Sequence, residues 1–240
     1  TDACTTGDLY FSTISDAVMN ASAGDTIIVC PGTYYENVVV NKSLEIRSYS
    51  QNTSDTVVKA SNPYDHVFNV TADNVTIKGF TVTGATGYKA GIYLYNSDYC
   101  RIENVNASNN WNGIYLDHSS NNTIANNIVS NNWRGIYLYY SSNNTIANNT
   151  VSNNDDGICL FYYSSSNTIA NNNISSNNWH GICLFFSSDN IIYLNNFINN
   201  TDQVDSYRST NIWNSTTPIT YTYNGIQYTN YLGNYWSDYT

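Results

Sequence analysis

Between Gly91 and Asn200 apolar and polar residues alternate in short bursts, and the bursts recur. Gly-Ile-Tyr-Leu at Gly91 returns at Gly113 and Gly135, then becomes Gly-Ile-Cys-Leu at Gly157 and Gly181. The glycine steps are 22, 22, 22 and 24 residues. A second burst centres on a single isoleucine (Ile77, Ile102, Ile124, Ile146, Ile169, Ile192), and a third on Val82, Ala107, Val129, Val151, Ile174 and Phe197. Alternation with period two marks strands. A fixed period of this length marks a solenoid, and each unit is too short for two packed helices. The pattern predicts an all-β chain: a right-handed, single-stranded parallel β-helix of about 22 residues per coil, with three short strands per coil stacked on the next. Asn/Ser-rich chains are often disordered, but here the apolar residues keep phase through five copies.

The flanks predict caps. In residues 1–50, Thr13 is placed to cap a helix carrying Ile14, Ala17, Val18 and Ala21 on one face, which would plug the open end of the solenoid. The first coils follow, with strands at Thr26–Cys30, Val38–Val40 and Leu44–Ile46. Residues 51–200 carry the repeats. Residues 201–240 are Tyr-rich, and Asn224-Gly225 between alternating residues signals a β-hairpin with a type I′ turn, read as a cap or a docking strand pair. Asparagines crowd the corners, where positive φ or a local hydrogen-bonding side chain is needed. Stacked amides would also bond from coil to coil.

Positions two, four and five after each glycine should face outward or sit at the corner. They form an aromatic stripe that includes Tyr93, Tyr115, Tyr137, Tyr139, Phe161 and Phe185, with Trp111, Trp133 and Trp179 two residues before their glycines. Such a stripe fits packing on another copy of the chain, stacking on sugar, or stacking of the rings on one another. Five cysteines are an odd number, which in an exported chain leaves a free or intermolecular thiol. Cys159 and Cys183 hold equivalent places in adjacent coils, within disulfide reach of each other or available to another subunit. Cys4 and Cys30 both fall in the N-terminal cap and are a candidate pair. Cys100 falls in the column of Asn122, Asn144, Asn167 and Asn190, as a buried thiol or a cross-link.

The phrases Gly-Ile-Tyr-Leu and Ser-Ser-Asn-Asn-Thr-Ile-Ala-Asn-Asn, the opening Asp25-Thr-Ile-Ile-Val-Cys-Pro-Gly-Thr-Tyr-Tyr-Glu-Asn37 and the tail Asn230-Tyr-Leu-Gly-Asn-Tyr-Trp-Ser-Asp-Tyr239 resemble the NosD-like parallel β-helix proteins. These belong to the carbohydrate-binding and sugar-hydrolase repeat group, and similar copies abound in cell-surface proteins of methanogenic archaea. The resemblance implies the fold; its motifs are packing motifs and imply little about chemistry.

Composition narrows the partners. A net charge of −10 with eight Lys and Arg disfavours nucleic acid and anionic membranes. No apolar run is long enough to span a bilayer. A start at Thr1 rather than Met fits a mature exported product. Sequons at Asn20, Asn41, Asn52, Asn69, Asn74, Asn106, Asn121, Asn143, Asn148, Asn173, Asn199 and Asn214 are glycosylation candidates, although an Asn/Ser/Thr repeat also makes sequons by chance. Catalysis on sugar would need converging carboxylates or an acidic calcium site with a basic partner. Asp117, Asp155, Asp156 and Asp189 fall at different corners, with Asp155-Asp156 read as a solvated corner rather than a calcium site, and Arg101, Arg134 and Arg208 are scattered. The copper attached to the NosD name would need His, Cys or Met together; His66, His118 and His180 fall in different coils, and Met19 is alone. The reading is therefore a non-catalytic, cofactor-free structural protein of the cell surface, extracellular and self-assembling into a layer, sheath or filament. The alternative is a module that binds or cleaves carbohydrate, with surface polysaccharide as its partner.

Overall fold

The computed structural model describes Cys4 and residues 9–238; the outermost residues of both flanking segments lie outside it. Three parallel sheets run the length of the solenoid. Sheet A has eight strands, from Thr26–Val29 to Ile191–Tyr193. Sheet B has nine, from Gly32–Tyr35 to Asn196–Ile198 and then Tyr235–Trp236. Sheet C has eight, from Val38–Val40 to Asp202–Tyr207. Repeats pair in register: Ile102 with Ile124, Val129 with Val151, Leu116 with Leu138. The three interior columns are fully buried, and each such side chain contributes roughly 1.5–3 kcal/mol. The right-handed parallel β-helix read from the repeat is the fold. No helix among the described residues is long and apolar enough to cross a membrane.

The asparagine pairs divide two tasks. The first Asn of a pair takes the left-handed conformation: Asn121, Asn126 and Asn131 have φ of 60°, 58° and 56°. The second turns its amide inward and is buried, as at Asn122, Asn127 and Asn132. Each buried amide then joins a ladder. Asn132 Oδ1 accepts from the Asn110 N–H at 2.9 Å, while Asn132 Nδ2 donates to Ala107 O and Asn154 Oδ1, both at 3.0 Å. Three such ladders climb the solenoid, and Cys100 N–H donates to Asn122 Oδ1 at the foot of one. Asn211, Asn234 and Gln203 close their far ends.

Glycine stands second in five of the eight sheet C strands, where neighbouring coils come too close for a side chain. A Cβ on Gly135 would lie 2.5 Å from Gly157 O and 2.7 Å from Val151 Cγ1. The glycine is also skipped in the register, which joins Asn112 to Arg134 and Ile114 to Ile136. The residue before the glycine and the residue two after it therefore share the outer face, as Arg134 over the Tyr137 ring demonstrates.

The N-terminal helix, Ile14–Asn20, buries Ile14, Ala17 and Val18 over the first coil. Thr13 Oγ1 accepts from Asp16 N–H at 3.0 Å. Glu36 accepts from the Ile14 and Ser15 N–H groups, both at 2.8 Å, and Lys42 Nζ donates to the Val18, Met19 and Ala21 carbonyls. The first coils thus hold both ends of the helix. At the other end the array runs past residue 200: Asp202–Tyr207 extends sheet C, and Trp236 stacks on Phe197 with centroids 4.5 Å apart. The hairpin Ile219–Tyr223/Ile226–Asn230 forms around Asn224-Gly225, but it does not plug the core. Its side chains are exposed on both faces, apart from half-buried Ile219.

Candidate functional site

Three places on the outer surface gather chemistry. The first is the ring ladder on sheet C. Tyr93 lies tilted against Tyr115 at 5.0 Å, Tyr115 stacks on Tyr137 at 4.6 Å, and Tyr139, Phe161 and Phe185 run beside them. The expectation of an exposed stripe needs correction at Tyr137, which is buried together with Cys159 and Cys183. Coil spacing is close to ring-stacking distance, so each ring covers its neighbours. Burial raises the Tyr93 and Tyr115 phenols, aided by Asp117, which accepts from Tyr93 Oη at 2.8 Å. Burial also pushes Tyr137 up to about 12, against the pull of Arg134. Tyr95, Tyr140 and Tyr162, at the corner beyond, remain exposed.

The second is a shallow groove where sheets B and C meet. One position per coil supplies Trp111, Trp133, Asp155 and Trp179. Trp111 and Trp133 stack at 5.3 Å, and Trp179 meets Trp133 edge-on at 4.8 Å. Asn109, Asn131, Asn153 and Asn178 line the groove with amides, and Asn178 Nδ2 donates to Asp155 Oδ1 at 2.9 Å. Trp111 and Trp133 are half-buried and Trp179 is exposed. The groove presents flat apolar faces beside hydrogen-bonding groups, the pairing that a polyol ring requires.

The third lies beside the disulfide between Cys159 and Cys183, whose Cα atoms are 4.6 Å apart. Asp156 is not at a solvated corner: it is buried, because the skipped glycine turns it onto the crowded outer face of sheet C. Its Oδ1 lies 2.7 Å from His180 Nδ1, and Arg134 Nε is 4.0 Å from its Oδ2. His180 Nε2 lies 3.8 Å from Asp205 Oδ2. The spacing of the acids in sequence concealed this convergence.

Cys4 and Cys30 form the second disulfide, with Cα atoms 5.7 Å apart. Cys100 is free and buried, its thiol pushed up to about 11 by burial, which makes it a poor nucleophile. Of the sequon asparagines, Asn69 and Asn106 are half-buried within strands and the other ten are exposed. His66 is buried, stacked on Tyr93 at 4.1 Å, and its Nδ1 accepts from Ala90 N–H at 3.0 Å.

Solved structures share the solenoid. Pectate lyase Pel9A aligns with a TM-score of 0.59 at 16% identity, over 82% of this chain and 72% of that one. The alginate lyase from Paenibacillus sp. str. FPU-7 aligns with a TM-score of 0.55, also at 16% identity, over 82% of this chain and 94% of that one. At such identities the likeness is one of fold alone. A cell surface glycoprotein of Methanothermus fervidus is 37% identical over 101 residues, which is 41% of this chain and 16% of that much longer protein. The family described as periplasmic copper-binding protein (NosD) matches residues 18–240. Copper calls for soft donors together. Among the described residues His66, His118 and His180 lie in different coils and Met19 stands exposed on the helix. Among the described residues, the group of three potential ligands that joins sulfur to imidazole lies beside Cys159–Cys183, where the disulfide offers no thiolate. The present form of that corner does not fit copper. The match over nearly the whole chain, together with the repeat and the stacked coils that it specifies, places the chain in the NosD family of parallel β-helix proteins.

Proposed function

We propose that this chain is a rigid rod of an exported cell-surface protein and holds polysaccharide along its tryptophan groove. The surface location rests on the cell surface glycoprotein that it resembles and on two disulfides, which persist in oxidising compartments. The observation that carries the binding reading is the column of Trp111, Trp133, Asp155 and Trp179 running along the solenoid beside four asparagine amides. A glycan chain laid along this column meets a ring or a carboxylate at each coil. Binding rather than cleavage is proposed, because among the residues lining the groove Asp155 is a single acid, and hydrolysis of a glycosidic bond takes a pair. A glycan array followed by calorimetry tests this. Trp133→Ala should weaken binding on the order of tenfold or more, as loss of a central aromatic contact does, and a reducing-sugar assay should stay flat. An array with no neutral or acidic polysaccharide bound retires the reading.

A second reading, self-association, is favoured by the hairpin. An isolated two-stranded hairpin is marginal in water, and this one exposes Tyr221, Tyr223, Tyr228 and Ile226. Sedimentation of the purified chain separates the readings: concentration-dependent assembly abolished by deleting 219–230 supports association, and a monomer at all concentrations removes it.

A further inference from the structure

The corner at Cys159, Cys183, His180 and Asp156 has a composition that neither a solvated loop nor a simple structural disulfide calls for. One ligand atom each from Asp156, His180 and Cys183 lies within 4.8 Å of the others, and Cys159 is bonded to Cys183. We propose that reduction of this disulfide converts the corner into a site for one thiophilic metal ion of the zinc class, held by two thiolates, His180 and Asp156.

The surroundings match what such a site requires. Cys159, Cys183 and Asp156 are buried, and Tyr137, Phe161 and Phe185 cover the sulfurs, so water is kept from the thiolates. His180 is only half-buried and leaves a path of entry. Two thiolates, an imidazole and a carboxylate make a four-donor set of the kind that zinc takes in tetrahedral geometry. His180 Nδ1 and Asp156 Oδ1 now share a hydrogen bond at 2.7 Å; the ion takes the place of that proton. The other imidazole nitrogen lies 3.8 Å from the Asp205 carboxylate, the outer partner that fixes a ligating histidine. Two thiolates and Asp156 against a divalent ion leave one negative charge, and Arg134 faces it: its Nε is buried, lacks a hydrogen-bond partner and lies 4.0 Å from Asp156 Oδ2.

The steps balance. A dithiol reductant passes two electrons to the Cys159–Cys183 bond, giving two thiols and the cyclic disulfide of the reductant. The metal ion then displaces both thiol protons to water, while the imidazole proton moves from Nδ1 to Nε2. A disulfide oxidant reverses the sequence: it takes two electrons from the Cys159 and Cys183 thiolates, leaves as a dithiol with two protons from water, and the re-formed disulfide releases the ion, so binding is gated by redox state.

Cobalt(II) is the probe. Full-length protein is reduced with a dithiol, freed of reductant without oxygen, and titrated. The expected result is one Co2+ per chain with a thiolate-to-cobalt charge-transfer band, bleached by Zn2+ and absent from the oxidised protein. Cys159→Ser/Cys183→Ser should abolish the band, and His180→Ala should weaken affinity at least tenfold. Should the double variant fail to fold, the His180 variant, altered at a half-exposed position, decides. The proposal is overturned if the reduced protein gives no thiolate band, if the oxidised protein gives the same band, or if the band survives unchanged in His180→Ala. None of these results bears on the tryptophan groove, where no sulfur lies.

Discussion

Each asparagine pair sets two different costs against substitution. Asn132→Ala removes the acceptor of the buried Asn110 N–H and the donor to Ala107 O, and should cost about 2–3 kcal/mol, since orphaned buried groups lose their full solvation. Asn131, exposed at φ 56°, should tolerate Gly, while Asn131→Ala should cost only about 1 kcal/mol of left-handed strain. Denaturant melts of the three variants check the order; equal losses at 131 and 132 would contradict the division. His66 carries the pH dependence. Burial first, then the nearby Lys89 charge, lowers its pKa to about 4 from 6.5, against the opposing pull of Asp65. The unfolded chain therefore binds the extra proton between those values, and stability should fall by roughly 2–3 kcal/mol as pH drops from 6.5 through 4. In His66→Gln, which keeps an acceptor for Ala90, that part of the slope should vanish from thermal melts across this range. The amide ladders were legible because the doublets repeat. The outward or corner place of His118, Tyr140, Tyr162 and Phe186 was legible too, but their left-handed backbone was not: φ values of 47–51° are a conformation that bulky residues disfavour. Only the alignment of that column with Asn96, at φ 47°, hints at it.

Elements follow the repeat where the repeat is strict and depart where it is not. The helix and its Thr13 cap, the inward columns and the Asn224-Gly225 hairpin could all be read from the chain, since each rests on local chemistry. The buried Asp156 could not. Strict alternation would put the residues one before and two after the glycine on opposite faces. The skipped glycine breaks that parity and brings Asp156 and His180 to the cysteines. The same glycine is the least replaceable residue of its strand. Gly135→Ala should destabilise by about 3 kcal/mol or more, because its Cβ would meet the backbone of the next coil at 2.5 Å and little there can yield. A chemical-denaturation midpoint equal to that of the unmodified protein would refute the close approach.

Across the whole molecule, three sheets, a helical lid held by Glu36 and Lys42, and a closing coil under Trp213 and Trp236 make a rod whose core is continuous from end to end. Rigidity comes from that continuity, and it lets residues of successive coils act as a row. The tryptophans report on the row directly. Trp111, Trp133 and Trp179 line the groove, whereas Trp213 and Trp236 lie against the terminal core. The most direct measurement is the NMR signal of the five indole N–H groups during titration with a polysaccharide selected on the array. If polysaccharide lies in the groove, the Trp111, Trp133 and Trp179 signals move together while Trp213 and Trp236 stay in place; movement confined to Trp213 and Trp236, or of no indole at all, contradicts binding there.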